Sequence, residues 1–200
     1  MKLFFSKNKI SMKKILSPLD KFVFAFCKIL EKEVVKYVVV SGYVAIVFGR
    51  SRNTEDIDIL VKKIDFDKFE KLWRVLSKKY ECMNTSNAKD AYFEYLNKKT
   101  GIRFYEKGKF IPNFEFKFLK DEKDVYSLEN AIRLQINKES IFISPLELQI
   151  AYKLALGSLR DIEDARFLFK LFNKHVDKEE LKVWIHKLGV SKKTIKKLGV

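Results

Sequence analysis

The sequence predicts an α+β fold: a mixed, mostly antiparallel sheet flanked by helices and followed by a C-terminal helical region. Three observations carry this. Apolar runs and alternation of strand type recur between residues 37 and 119, stretches of helical apolar spacing interrupt and precede them, and from Ser127 onward the pattern is chiefly helical. At 47% hydrophobic residues in a chain of 200, there is enough apolar material for a real core in one domain with a helical appendage.

Taken in order, residues 1–18 read as a basic N-terminal arm, its first ten or so residues loose. Leu19, Phe22, Val23, Phe26, Ile29, Leu30 and Val34 recur at helical spacing, which predicts an amphipathic helix over 18–36 with Pro18 in its first turn. The run from Lys36 to Val40 is a short buried strand ending at Ser41-Gly42; Ala45 to Phe48 is a brief helix and Arg50 to Thr54 a polar loop. Asp56 to Val61 is the next strand, and Asp65 caps a helix, ending near Tyr80, whose Phe66, Phe69, Leu72, Trp73 and Leu76 share a face. Tyr92 to Leu96, Ile102 to Tyr105 and Phe114 to Leu119 read as successive strands around turns at 97–101 and 108–113. A short helix is expected near 128–135 and a strand at 141–143. Ser144, Pro145 and Glu147 then spell a capping box for a helix that runs to Gly157. Further helices follow over 161–173, from Asp177, and in a basic stretch after Ser191. The division is therefore a 1–18 arm, a 19–125 core and a 126–200 helical region packed on that core.

Forty-one Lys plus Arg against twenty-six Asp plus Glu leave a net charge of +15, a field that attracts polyanions such as RNA, DNA and nucleotides, although a Lys- and Ile-rich composition also arises without such a partner. Two cysteines and two histidines offer no zinc constellation. The longest apolar stretch near the N-terminus, Phe22 to Cys27, is too short for a signal sequence or a membrane span, so a soluble cytoplasmic protein is expected.

Chemistry concentrates between residues 37 and 61. Asp56 and Asp58 stand at i and i+2 of a strand and therefore face one way, able to grip one cation together beside the Ser41-Gly42 turn. Phosphoryl transfer asks for two or three such carboxylates. Glu115 is the third candidate: it alternates with Phe114, Phe116 and Phe118, so if the phenylalanines face the core, Glu115 and Lys117 face the side of the Asp pair. Arg50 and Arg52 flank Ser51 just before that pair and can meet phosphate or simply solvent. Lys153, on a core-facing helix, needs a nearby anion unless it snorkels at the helix edge. Asp161 and Asp164, at the start of the next helix, read as structural carboxylates.

The stretch from Ser41 through Asp56-Ile-Asp58 to Val61 resembles the signature of the polymerase-beta-like nucleotidyltransferase superfamily, with Ser-Gly where that family has Gly-Gly or Gly-Ser. The resemblance implies a nucleotidyltransferase fold, nucleotide-phosphate contacts at Ser41 and Gly42, and a magnesium ion, or manganese in its place, held by Asp56, Asp58 and Glu115; Arg52, from its place in the loop, is expected to join the nucleotide-binding residues. Residues 145–168 are similar to the helical region of AbiEii-type and minimal nucleotidyltransferases, which implies phosphate binding by Lys153. The expected activity is transfer of a nucleoside monophosphate from an NTP to an acceptor hydroxyl, with pyrophosphate leaving. The first choice of acceptor is a tRNA-like RNA 3′ end, in the manner of a toxin, helped by the basic tail at Lys192, Lys193, Lys196 and Lys197. The alternatives are an antitoxin-type enzyme that modifies a partner protein, a small-molecule acceptor, and a noncatalytic nucleotide- or nucleic-acid-binding module.

Overall fold

The computed structural model describes residues 2–6 and 8–199. Among them, nine strands form a single sheet in the order β1-β2-β8-β9-β3-β4-β7-β6-β5. The strands are β1 (Leu3–Ser6), β2 (Lys9–Met12), β3 (Tyr37–Val39), β4 (Asp56–Val61), β5 (Tyr80–Cys82), β6 (Ile102–Glu106), β7 (Asn113–Phe118), β8 (Ile132–Ile136) and β9 (Glu139–Ile143). The pairs β2–β8, β3–β9 and β4–β7 run parallel and the others antiparallel, the expected mixture.

The helices are α1 (Pro18–Lys32), α2 (Gly42–Val47), α3 (Phe66–Leu76), α4 (Ala88–Asp90, continuing in wider and tighter turns to Lys98), α5 (Glu122–Glu129), α6 (Leu146–Leu156), α7 (Leu159–Phe172), α8 (Lys178–Lys187) and α9 (Lys192–Lys196). The apolar faces of α1 and α3 bury one side of the sheet. Phe22 and Phe26 stack on Phe114 at 4.3 and 3.9 Å between ring centres, while Phe69 and Trp73 approach Phe116 and Phe104. Phe114, Phe116 and Phe118 are buried, so Glu115 and Lys117 do point to the opposite face.

Several elements differ from expectation, each for a local reason. Leu3–Ser6 and Lys9–Met12 are not a loose arm but paired antiparallel strands at the sheet edge; Ile10 and Met12 alternate with Lys9 and Ser11 and are buried. Residues 1, 7 and 200, within the expected arm and helical region, lie outside the described residues. Helix α1 stops at Lys32, where Val34 takes a positive φ of 53°. Tyr92 to Leu96 is helical rather than extended: Tyr92, Tyr95 and Leu96 share the i, i+3, i+4 spacing, and Asn87 caps the segment by accepting from the Asp90 N–H. The helix expected near 128–135 lies earlier, as α5, capped by Asp121, and Ile132, Leu134 and Ile136 alternate as strand β8. The Ser144 capping box does not form. Ser144 is buried and shares a 2.9 Å hydrogen bond with Ser127 Oγ, while Glu147 Oε1 accepts from the Asp177 N–H at 2.8 Å. Helix α6 ends at Gly157 as expected. No helix among the described residues is long and apolar enough to cross a membrane.

Candidate active site

Strands β4 and β7 set the site. Their parallel register places Asp58 directly beside Glu115 and Asp56 beside Asn113, so the three expected carboxylates share one sheet face within two adjacent rows. Lys117, opposite Leu60, reaches back along its strand, and its Nζ lies 2.9 Å from Asp58 Oδ1 and 2.9 Å from Glu115 Oε2. Burial alone would lower the Lys117 pKa, but the two carboxylates outweigh it and hold the ammonium above its ordinary value. Thr54 Oγ1 donates to the Asp56 carbonyl at 2.9 Å and fixes the entry to the strand.

Beside Asp58 opens a cleft of about 200 Å³ between the sheet and helices α5 and α6. Its sheet wall is Val40, Ser41, Asp58, Leu60 and Lys117. Lys120, Lys123, Gln149 and Tyr152 close it from the helical side, with the Lys123 ammonium 5.8 Å from the Tyr152 ring centre. Asp124 also lines the cleft, and of its three lysines Lys117 is paired with Asp58 and Glu115 and Lys123 with Asp121 and Asp124. Lys120, Lys123, Gln149 and Tyr152 are absent from the sequence-based site. Gln149, Tyr152 and Leu156 recur at helical spacing along α6, and that was the available signal; Lys120 and Lys123 belong only through the way α5 folds back.

The turn before α2 is strained. Ser41 has φ 64° and ψ −134°, a conformation that favours glycine, and its N–H donates to Gln149 Oε1 at 3.1 Å. Gly42 lies under the Arg52 guanidinium so closely that a Cβ there would fall 1.9 Å from Arg52 Nη2. Arg52 in turn places Nη1 3.1 Å from Asp164 Oδ2, and Arg50 Nε lies 3.6 Å from Asp164 Oδ1. Asp164 also receives Lys153, whose Nζ is 3.0 Å from Asp164 Oδ2 and 2.8 Å from Asp161 Oδ1.

Lys153 and Asp164 are 1% and 0% exposed, and Lys153 does not line the cleft. The anion that Lys153 requires is thus a pair of aspartates. In this structure its partners are those two carboxylates rather than the cleft, and Arg52 likewise braces the turn through Asp164. Asp161, itself held below the usual carboxylate range, gains that shift from Lys153 and Ser158 hydrogen bonds that outweigh burial.

Hard carboxylate oxygens on Asp56 and Asp58, side by side on an accessible sheet face, fit one divalent cation. The full trio is not gathered around a single point: among the described residues no group of three His, Cys, Asp or Glu side chains is placed to hold a metal, and the Lys117 ammonium stands between Asp58 and Glu115.

This architecture, with a Ser-Gly turn leading into a short helix and Asp-x-Asp on the next strand, is a nucleotidyltransferase fold. Across 89% of this chain and 90% of the other, the structure is similar to an antigenic nucleotidyltransferase-like protein from Paracoccidioides brasiliensis, with a TM-score of 0.56 and 17% identity. It is also similar to the antibiotic-resistance factor ANT(2'')-Ia, with a TM-score of 0.53 and 11% identity over 88% of this chain and 94% of that one. A crystal structure of ANT(2'')-Ia in complex with adenylyl-2''-tobramycin gives a TM-score of 0.52 at 12% identity, over 86% and 98% of the two chains. No protein-family model and no curated protein matches the sequence.

Proposed function

We propose that the protein is a metal-dependent nucleotidyltransferase that moves a nucleoside monophosphate from an NTP to an acceptor hydroxyl and releases pyrophosphate. The observation that carries the reading is Asp58 held in register beside Glu115, with Asp56 two residues before it, at the mouth of a lysine-lined cleft. Asp56 and Asp58 would hold magnesium, or manganese, which when bound supplies charge neutralisation at the phosphates. Lys120 and Lys123 draw the triphosphate into the cleft, the strained turn brings Ser41 to the cleft wall, and Tyr152 offers a face for the base. Glu115 stands on the acceptor side of Asp58 and can take the hydroxyl proton.

What supports an RNA acceptor is the sheet beyond Glu115. Strand β6 sets Arg103 beside Glu115 and Tyr105 beside Asn113, so a basic and an aromatic side chain continue the two catalytic rows on the same face. The Tyr105 ring lies 5.1 Å from that of Phe110, which is 67% exposed, and Lys107 and Lys109 flank it in the exposed loop before β7. Stacking rings among cations suit a single-stranded end better than a small antibiotic. Residues 145–168 are what favours the AbiEii-type branch, in which a toxin would disable tRNA-like ends by extending them.

The test incubates the protein with total tRNA and each labelled NTP in turn. Labelled RNA is expected from wild type, and Asp56→Asn and Asp58→Asn are expected to lose about a thousandfold or more in rate at unchanged thermal stability. Normal transfer by either variant would refute the site. Label on a co-purified protein instead of RNA would move the acceptor to a partner chain, and NTP binding without transfer would leave a noncatalytic module.

A further inference from the structure

Lys117 bridges the carboxylates of the two neighbouring strands β4 and β7. Its Nζ sits 2.9 Å from Asp58 and 2.9 Å from Glu115, with the side chain 23% exposed. The place is prepared for it. Gly101, just before β6, lies beneath: a Cβ there would come 2.9 Å from Lys117 Cγ and 3.2 Å from Glu115 Oε1, so a side chain at this position would force Lys117 to shift. The register adds a second sign of purpose, because Lys117 is level with Leu60 and has to run back along the strand to reach the Asp58–Glu115 row.

Two consequences follow from the charge. A divalent ion approaching the Asp56–Asp58 pair meets an ammonium already bound to Asp58 Oδ1, an oxygen it needs. The same ammonium also lines the cleft with Lys120 and Lys123, so a triphosphate there offers it a competing anionic partner. A lysine has four rotatable bonds with which to change partners without moving the backbone.

We propose that Lys117 is a tethered cation that occupies the carboxylate site until nucleotide arrives, so that the divalent ion enters together with the NTP and not before it. The proposal rests on the nucleotidyltransferase reading. It makes metal and nucleotide binding positively coupled through one side chain, and coupling of this kind is reciprocal.

The experiment titrates Mn²⁺ into full-length wild type, Lys117→Met, Lys117→Gln and Lys117→Arg, following the free-ion signal by electron paramagnetic resonance. Each titration is run without nucleotide and with a non-hydrolysable ATP or CTP analogue. Wild type and Lys117→Arg are expected to bind Mn²⁺ weakly alone and at least about tenfold more tightly with the analogue. Lys117→Met, which keeps the apolar stem, and Lys117→Gln are expected to bind Mn²⁺ alone about tenfold more tightly than wild type and to gain little from the analogue. Equal Mn²⁺ affinity of wild type and both neutral variants without nucleotide would overturn the role of Lys117 and leave the enzyme reading standing. Absence of Mn²⁺ binding in every protein, with or without the analogue, would overturn the reading itself and the proposal with it.

Discussion

Replacing Asp164 by asparagine should be among the most damaging single changes outside the apolar core. The carboxylate is 0% exposed and faces Lys153 at 3.0 Å, Arg52 at 3.1 Å and Arg50 at 3.6 Å, although neither oxygen makes a well-aligned hydrogen bond. Asparagine keeps the volume and removes the charge, leaving a buried ammonium with Asp161 alone and two guanidinium groups facing a neutral amide. Removing one partner of a buried ion pair costs about 3–5 kcal/mol, and because Asp161 remains at 2.8 Å from Lys153 the lower end, about 3 kcal/mol, applies here. For a chain of this length that corresponds to a fall in Tm of about 6–12 °C. Urea melts should show a lower midpoint at an unchanged slope, with calorimetry confirming the fall. Lys153→Met in the Asp164→Asn background should cost less than the sum of the single changes, since it removes the stranded charge. A loss below about 1 kcal/mol for Asp164→Asn, or strict additivity with Lys153→Met, would refute the account of this cluster.

Three further outcomes are expected. Ser41→Gly should stabilise the protein by about 1 kcal/mol, because relief of a strained φ of 64° outweighs the greater freedom of glycine in the unfolded chain; a lower urea midpoint would contradict the strain. Gly42→Ala should destabilise by about 2–3 kcal/mol by pushing the Arg52 guanidinium off Asp164, and the loss should shrink in an Arg52→Ala background; full additivity would show that the contact is not the cause. Burial acts to raise the pKa of Asp20, but hydrogen bonds from Lys14, Ser17 and Tyr43 prevail and hold it below the usual range. A depressed folded-state pKa gives stability that is present above the unfolded value of about 3.9 and lost as pH falls through the folded one, so wild type should weaken steeply in acid. Asp20→Asn should be less stable at pH 7 with a flatter acid limb, and parallel stability profiles from pH 7 to 2.5 would rule this out.

The parts of the fold that the sequence makes legible are those whose signal is local. Asp56 to Val61 is a strand because an Ile-Leu-Val run follows the carboxylates, and the side on which Glu115 lies follows from the three phenylalanines around it. Segments fail where two periods overlap or where tertiary contacts decide. Tyr92-Phe-Glu-Tyr-Leu is aromatic enough for a strand, yet its 92, 95, 96 spacing and packing on Phe66, Phe69 and Phe118 favour a helix. Ser144 has the letters of a cap, but a partner seventeen residues earlier takes its hydroxyl. Of the site, the carboxylates are readable because spacing on a strand fixes direction. That Lys153 has an anion is readable too; which anion is not, because Asp161 and Asp164 reach it only after α7 folds back on α6.

The same fold-back explains why the helical region belongs to the site. A residue held in the conformation of Ser41 relaxes unless its surroundings over-determine it. Those surroundings come from both sides of the chain's midpoint: Gln149 of α6 receives the Ser41 N–H, and Asp164 of α7 grips the Arg52 that lies over Gly42. Lys153 then ties α6 to α7, so the two clamps are one assembly. The turn that would face the triphosphate is therefore shaped by helices more than a hundred residues later in sequence. Any motion of α6, which also carries Tyr152 on the opposite wall of the cleft, must change the turn and the pocket together.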